Sequence, residues 1–339
     1  MSAPAHTPVQ ARERPALLAT VARLQRDYPI AQVVALVAVF IYGAATLDNF
    51  TSGFSIRAML VLASLLGISA LGQTLCVLIG GMDVSIAGWI LVGATTSVEL
   101  LGGTGTRWAA WQVFLLLGGL ALLVGGTVGW ICHRYLVPAL VLTLATGAIV
   151  TGAVLAWKRG FVTGIPPHWL ANLSSPGGKT FGVGVPPIVF IWLAVAVVFF
   201  VVLHRTVPGA WLYATGNNPR AAKLALVPTG AVWAGVFALS AFFGCMSGVL
   251  LAGFAAGGDA SIGEPYMWNG ITAVLVGGTA FGARGDYLRT CLGTLLLIVL
   301  AQVMIGHGAD YADQTILYGA LILVVVGIYG RDRRLRDQV

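Results

Sequence analysis

Charge is what this chain has least of. Only 9% of its 339 residues are Asp, Glu, Lys or Arg, against roughly 25% in an ordinary soluble domain, so most of the chain has no water-facing surface. Reactive groups are as sparse. The four cysteines, Cys76, Cys132, Cys245 and Cys291, stand singly in apolar segments without CxxC spacing or a neighbouring histidine cluster. They read as small packing residues, and neither a metal nor a disulfide is assigned to them. The histidines, His6, His133, His168, His204 and His307, make no ligand pair. Gly177, Gly178, Lys179 and Thr180 imitate the end of a phosphate-binding loop, but that motif needs a glycine where Leu173 stands. With no Ser, His and acid grouping either, the residues argue against an enzyme and against a nucleotide site in this chain.

Apolar residues fill the space that charge leaves: 58% of the chain is hydrophobic and the mean hydropathy is +0.89. A membrane-spanning helix needs about 20 mostly apolar residues, because the bilayer core offers no water to an open backbone. Candidate runs are 30–47, 58–80, 86–103, 108–131, 136–157, 188–203, 231–252, 268–282, 288–306 and 314–329. The expectation is an all-α polytopic membrane protein of about ten transmembrane helices, with the third, sixth and eighth runs tilted, broken or half-length. Residues 1–29 form a polar tail, 30–330 the transmembrane domain and 331–339 a second tail. The first run lies too far into the chain, and is too long, for a typical cleaved signal, and reads as a retained anchor.

Basic residues orient the chain. With both ends cytosolic, Arg12, Arg14, Arg23, Arg26, Arg134, Arg205, Arg220, Lys223, Arg284, Arg289, Arg331, Arg333, Arg334 and Arg336 fall inside. Arg57, Arg107, Lys158, Arg159 and Lys179 fall outside, together with Asp48, Asp259, Glu264, Asp310 and Asp313. That excess of Lys and Arg in the inner loops agrees with an even number of spans. The net charge of +7 thus reports orientation against membrane lipid, and no nucleic acid partner is implied.

Glycine is abundant at 45 residues, much of it inside the runs, as in Gly118, Gly119, Gly125, Gly126, Gly129, Gly244, Gly248 and Gly253. Small residues let membrane helices approach closely, which argues for a compact bundle. Three polar segments interrupt the apolar pattern. In Gly80, Gly81, Met82, Asp83, Val84, Ser85 an acid stands between long apolar runs, where it faces a cavity or gate, or else caps the next helix through Asp83 or Ser85. Gly277, Gly278 and Thr279 open a second loop with a Gly pair, an echo too short to establish an internal repeat. The third segment, Gly216 to Leu226, GNNPRAAKLAL, is a polar, helix-forming insert with Pro219 placed for a first helical turn, and is either an ordinary loop or a contact surface.

These motifs resemble those of the permease subunits of ribose-type, monosaccharide ABC importers. IGGMDVSIAG is similar to that family's Gly-Gly-Ile-Asp-Leu-Ser-Val-Gly signature, TGNNPRAAKLALV to its Gly-Asn-x-x-Ala-Ala-x-x-Ser-Gly-Ile segment, and AVLVGGTAFGARGDYLRTCLGTLL to its Val-Leu-Gly-Gly-Thr-Ser run with the helix behind it. The match runs in order from about Ala58 to Gly330. It implies a type II ABC importer permease that pairs with a second permease, a homodimer or a paralogue. A periplasmic solute-binding protein would deliver the sugar, and a cytosolic ATP-binding-cassette ATPase would bind ATP and Mg, leaving no cofactor in this chain. Asn217, Asn218, Pro219, Arg220, Ala221, Ala222, Lys223 and Leu224 would couple to that ATPase, while Gly80, Gly81, Asp83, Ser85, Gly277, Gly278 and Thr279 would belong to the pathway or gate. Two departures stand out. Tyr266 to Ala273 lacks both acids of the family's Tyr-Glu-Leu-Asp stretch, and the family's Leu-Ser-Gly is here Leu224, Ala225, Leu226. The rival reading is an ion-coupled secondary transporter, for which the ionisable residues nearest mid-membrane are Asp83 and Glu99.

Overall fold

The computed structural model describes residues 29–102, 108–158, 165–180, 182, 184–255, 261–282 and 285–334. The tails 1–28 and 335–339 lie outside the described residues, as do Arg107, Arg159, Asp259 and Arg284, which entered the orientation argument.

Thirteen helices and no strand make up the described residues. In chain order they are α1 (Ile30–Thr46), α2 (Gly53–Leu78), α3 (Ile86–Gly102), α4 (Ala110–Tyr135), α5 (Ala139–Lys158), α6 (His168–Ser174) and α7 (Pro187–Arg205). There follow α8 (Val207–Asn217), α9 (Pro219–Leu224), α10 (Thr229–Ala255), α11 (Glu264–Val276), α12 (Tyr287–Gly306) and α13 (Tyr311–Arg334). Each of the ten apolar runs lies on one of these helices. Six, namely α2, α4, α5, α7, α10 and α12, are long and apolar enough to cross a membrane. The helices α1 and α3 have 17 residues each. At 13 residues, α11 is only about 20 Å long, less than the about 30 Å hydrocarbon core. Ten full crossings are therefore not what the helix lengths show. Three helices, α6, α8 and α9, have no counterpart among the apolar runs, and all are too short to register as spans.

The bundle is built around α2. Of its most apolar stretch 89% is buried inside the protein, against 22% for α5 on the periphery. Its hydroxyls turn back on their own helix, with Ser64, Ser69 and Thr74 donating to the carbonyls of Leu60, Leu66 and Ala70, which satisfies them where no water reaches. Large apolar side chains on the outer helices, among them Val34, Leu115, Ile149 and Val197, are exposed and face hydrocarbon. A buried relay ties α7 to the centre. Trp192 Nε1 donates to the Tyr287 hydroxyl at 3.1 Å, and that hydroxyl donates to the Gly67 carbonyl of α2 at 2.8 Å.

Close helix crossings use the glycines at which a side chain has no room. A Cβ on Gly248 of α10 would stand 2.0 Å from the Ile90 carbonyl oxygen of α3, and one on Gly93 would stand 1.9 Å from that of Cys245. Against α4 the same relation holds for Gly125 with Phe237 and for Gly129 with Trp233. All four cysteines are free and packed singly among the helices.

The helix ends sort into two groups. At one end Leu47 meets Gly306, Glu99 pairs with Lys158 at 2.5 Å, and Leu170 packs on Gly253. The other end gathers the close of α4, where His133 bonds Thr229 at 2.9 Å, the close of α7 with His204 and Arg205, and all of α8 and α9. Backbone against backbone leaves no adjustment at Gly248, whereas a Cβ on Gly119 of α4 meets nothing within 4 Å. Gly248→Ala is expected to destabilise by about 1 to 3 kcal/mol through overpacking, and Gly119→Ala to be neutral or stabilising; thermal unfolding of the two variants in detergent checks the contrast.

Candidate functional site

The insert forms a helix of its own. Pro219 opens α9, and the Asn218 side chain accepts hydrogen bonds from the Arg220 and Ala221 amides at 3.1 and 3.0 Å, so the two orphan amides of this short element are satisfied by its N-cap. Asn217, Asn218, Pro219, Arg220, Ala221, Lys223 and Leu224 are exposed, and only Ala222 is buried. Ahead of it, α8 folds back tightly on α7 because Gly209 allows it. A Cβ there would lie 2.3 Å from the Val202 carbonyl oxygen.

The end of α9 holds a feature the sequence reading passed over. The Leu226 amide donates to the Lys223 carbonyl and the Val227 amide to the Ala222 carbonyl, which is a Schellman turn with Leu226 at its left-handed position, φ 61°. This is the position where the resembling family carries glycine, and a left-handed leucine costs about 1 to 2 kcal/mol. Leu224 and Leu226 are 86% and 90% exposed, so the strain holds an apolar side chain outward beside Arg220 and Lys223.

Both Gly-pair segments are helix ends of the same kind. After α2, Gly80 N–H donates to Val77 and Gly81 N–H to Cys76, with Gly80 at φ 84°. After α11, Gly278 N–H donates to Leu275 and Thr279 N–H to Val274, with Gly278 at φ 100°. The equivalence is offset by one residue from the sequence echo, because Gly80 corresponds to Gly278 and Gly81 to Thr279. The two ends touch, since the Gly282 amide donates to the Val77 carbonyl at 3.2 Å. Only Gly80 of the expected gate residues is exposed; Gly81, Asp83, Ser85, Gly277, Gly278 and Thr279 are buried.

Asp83 is 1% exposed. Its Oδ1 accepts from the Ser85 amide at 2.9 Å and the Ser85 hydroxyl at 2.6 Å, so the carboxyl braces the entry to α3 from two residues upstream, and the Ser85 hydroxyl is spent on Asp83 rather than on the helix. Gln73 of α2 donates to the Asp83 carbonyl, and Thr143 of α5 accepts from the Val84 amide at 3.1 Å. Ser240 of α10 lies close to both Asp83 and Cys76 without a hydrogen bond of normal geometry. Across the second loop, Asp286 caps α12 by accepting from the Arg289 amide at 2.9 Å, with its other oxygen 3.8 Å from His204 Nε2. Thr279 donates to the Asp286 carbonyl at 3.0 Å, and the Tyr213 hydroxyl of α8 donates to the Gly285 carbonyl at 2.9 Å. Burial first, and the nearby Asp286 carboxylate second, push the Tyr213 phenol up to about 12, which keeps it a donor. Among the described residues no cluster of three His, Cys, Asp or Glu side chains is placed to hold a metal ion.

Residues 55–326 match the family described as the permease component of the branched-chain amino acid transport system. The chain is 27% identical to the ribose import permease protein of Haemophilus influenzae over 281 residues, covering 82% of this chain and 85% of the relative. It is 29% identical to the autoinducer 2 import system permease protein of Escherichia coli over 283 residues, covering 80% and 82%. No solved structure matches. At the left-handed turn after α9, Leu226→Gly is expected to keep hydrogen exchange at the amides of residues 225–227 as slow as in the parent, and Leu226→Val to speed it severalfold, since a β-branched residue resists positive φ.

Proposed function

Since the chain belongs to the family of transport-system permease components, we propose that it is the membrane-embedded subunit of an ATP-binding-cassette importer for a sugar or a related small polar solute. The relatives' names carry the solute class: one imports ribose and the other autoinducer 2. A solute-binding protein delivers the solute from outside, a second permease subunit completes the pathway, and a cytosolic ATPase binds and hydrolyses ATP with Mg, so this chain needs no nucleotide site.

The observation that supports this reading best is α9. It is exposed, capped and basic, and it stands off the bundle on the end that also carries His133, Arg134, His204 and Arg205. Placing that end in the cytosol follows the rule that Lys and Arg accumulate inside, and it puts both chain termini on the same side. Docked in a groove of the ATPase, α9 receives the motion of nucleotide-driven closure, with Leu224 and Leu226 as its apolar contacts and Arg220 and Lys223 as its charged ones. Motion of the two Gly-pair ends then opens a path between two permease subunits in alternating access. Ion coupling has no comparable support. Glu99 is neutralised by Lys158, and Asp83 is engaged with Ser85.

Reversing the charge of the α9 surface with Arg220→Glu and Lys223→Glu is expected to reduce co-purification of the ATPase from membranes at least tenfold and to abolish whichever ATP-dependent uptake, of ribose or of autoinducer 2, the parent shows in proteoliposomes. Unchanged assembly and uptake would remove α9 from the mechanism.

A further inference from the structure

Among the described residues the side-chain hydrogen bonds of α9 are local, from Asn218 to its own first turn, and Thr206 at the start of α8 bonds back to Val202. Tyr213 is different, because its partner Gly285 lies 72 residues further along the chain. We propose that the Gly285–Asp286 corner is where motion of the α8–α9 segment enters the bundle, and that Tyr213 is the positioning residue that transmits it to the Gly-pair ends of α2 and α11 at once. This rests on the docking role of α9 proposed above.

The corner is connected in every direction the motion needs. Asp286 caps α12 through the Arg289 amide, its second oxygen faces His204 at the end of α7, and its carbonyl holds Thr279 at the end of α11. From the same loop Gly282 reaches the Val77 carbonyl of α2 at 3.2 Å, just ahead of the Gly80 turn that leads to Asp83. One turn away, the hydroxyls of Thr74 and Thr290 lie 2.8 Å apart and lock α2 to α12. A pull on Gly285 is thus felt at the ends of α2 and α11 and at the start of α12.

Two further observations make Tyr213 the stiff link. Gly285 has φ 106°, and a Cβ there would lie 2.6 Å from Thr279 Cα, so the corner is folded tightly with no slack of its own. Between α8 and the bundle lies an apolar cavity of about 230 Å³ lined by Leu75, Phe199, Leu212 and Val236 among others. Apolar packing under α8 is therefore incomplete, and the cavity leaves room for the segment to tilt while the Tyr213 bond holds its far point on the loop.

The experiment uses the full chain assembled with its ATPase, carrying Cys291→Ala and a fluorophore on Met82→Cys in the first Gly loop, with MgATP and vanadate as the ligand. The parent is expected to change its emission on nucleotide addition. Tyr213→Phe is expected to co-purify with the ATPase at parental yield yet lose at least fivefold of that change. His204→Gln, at a half-exposed position, is expected to lose part of it. An unchanged response in Tyr213→Phe, or no response in the parent, overturns the inference. If Tyr213→Phe fails to accumulate, His204→Gln decides, and a full response there overturns the inference. Failure of the parent to assemble with the ATPase counts instead against the docking role of α9.

Discussion

The Val77 carbonyl accepts two amide hydrogens, one from Gly80 in its own helix end and one from Gly282 in the loop after α11, and the joining of the two Gly-pair ends depends on that shared oxygen. A helix end buried inside the protein leaves its last carbonyls with no water to receive them. Here α2 and α11 each close with a Schellman turn, which returns two amides to the last turn of the helix. The Val77 oxygen that closes the turn of α2 also takes a second amide, from the loop after α11. Two helix ends that would each be costly alone are stable as a pair.

Burial of the surrounding polar groups follows from that pairing. Asp83 lies deep in the protein because Ser85 gives it two donors, while Gln73 and Thr143 hold the backbone on either side. Asp286 is fixed by the cap of α12 and by the approach of His204. The glycines that flank these loops serve contact more than flexibility. Gly277 and Gly293 let α11 and α12 cross so closely that a Cβ on either would lie 2.2 or 2.0 Å from a carbonyl oxygen of the other.

The exposed segment stands in contrast to this interior. Its cap, its proline and its charges are local features, and its one strained residue, Leu226, turns an apolar side chain outward at a position that favours glycine. For the docking role proposed for α9, the exposed surface and the Gly-pair loops have to be joined by something stiff. Tyr213 and the Gly285–Asp286 corner have the geometry for that task.

Much of this was readable from residue order alone. Each apolar run became a helix because length and hydropathy are sufficient in a solvent that rejects open backbone, and Pro219 marked the start of α9 because its ring suits a first helical turn, while the Asn218 cap showed only in the structure. The half-length of the eighth run was readable as a Gly-interrupted stretch. By contrast, the Gly-pair echo suggested the wrong alignment, since only backbone geometry shows that Gly80 matches Gly278. The contacts Gly282 to Val77, Tyr213 to Gly285 and Thr74 to Thr290 join residues far apart in the chain, and no local propensity encodes them. Hydrophobicity and capping act over a few neighbouring residues and so belong to the sequence; which carbonyl an unpaired amide finds across the bundle depends on how all the helices pack, and only the tertiary structure decided it.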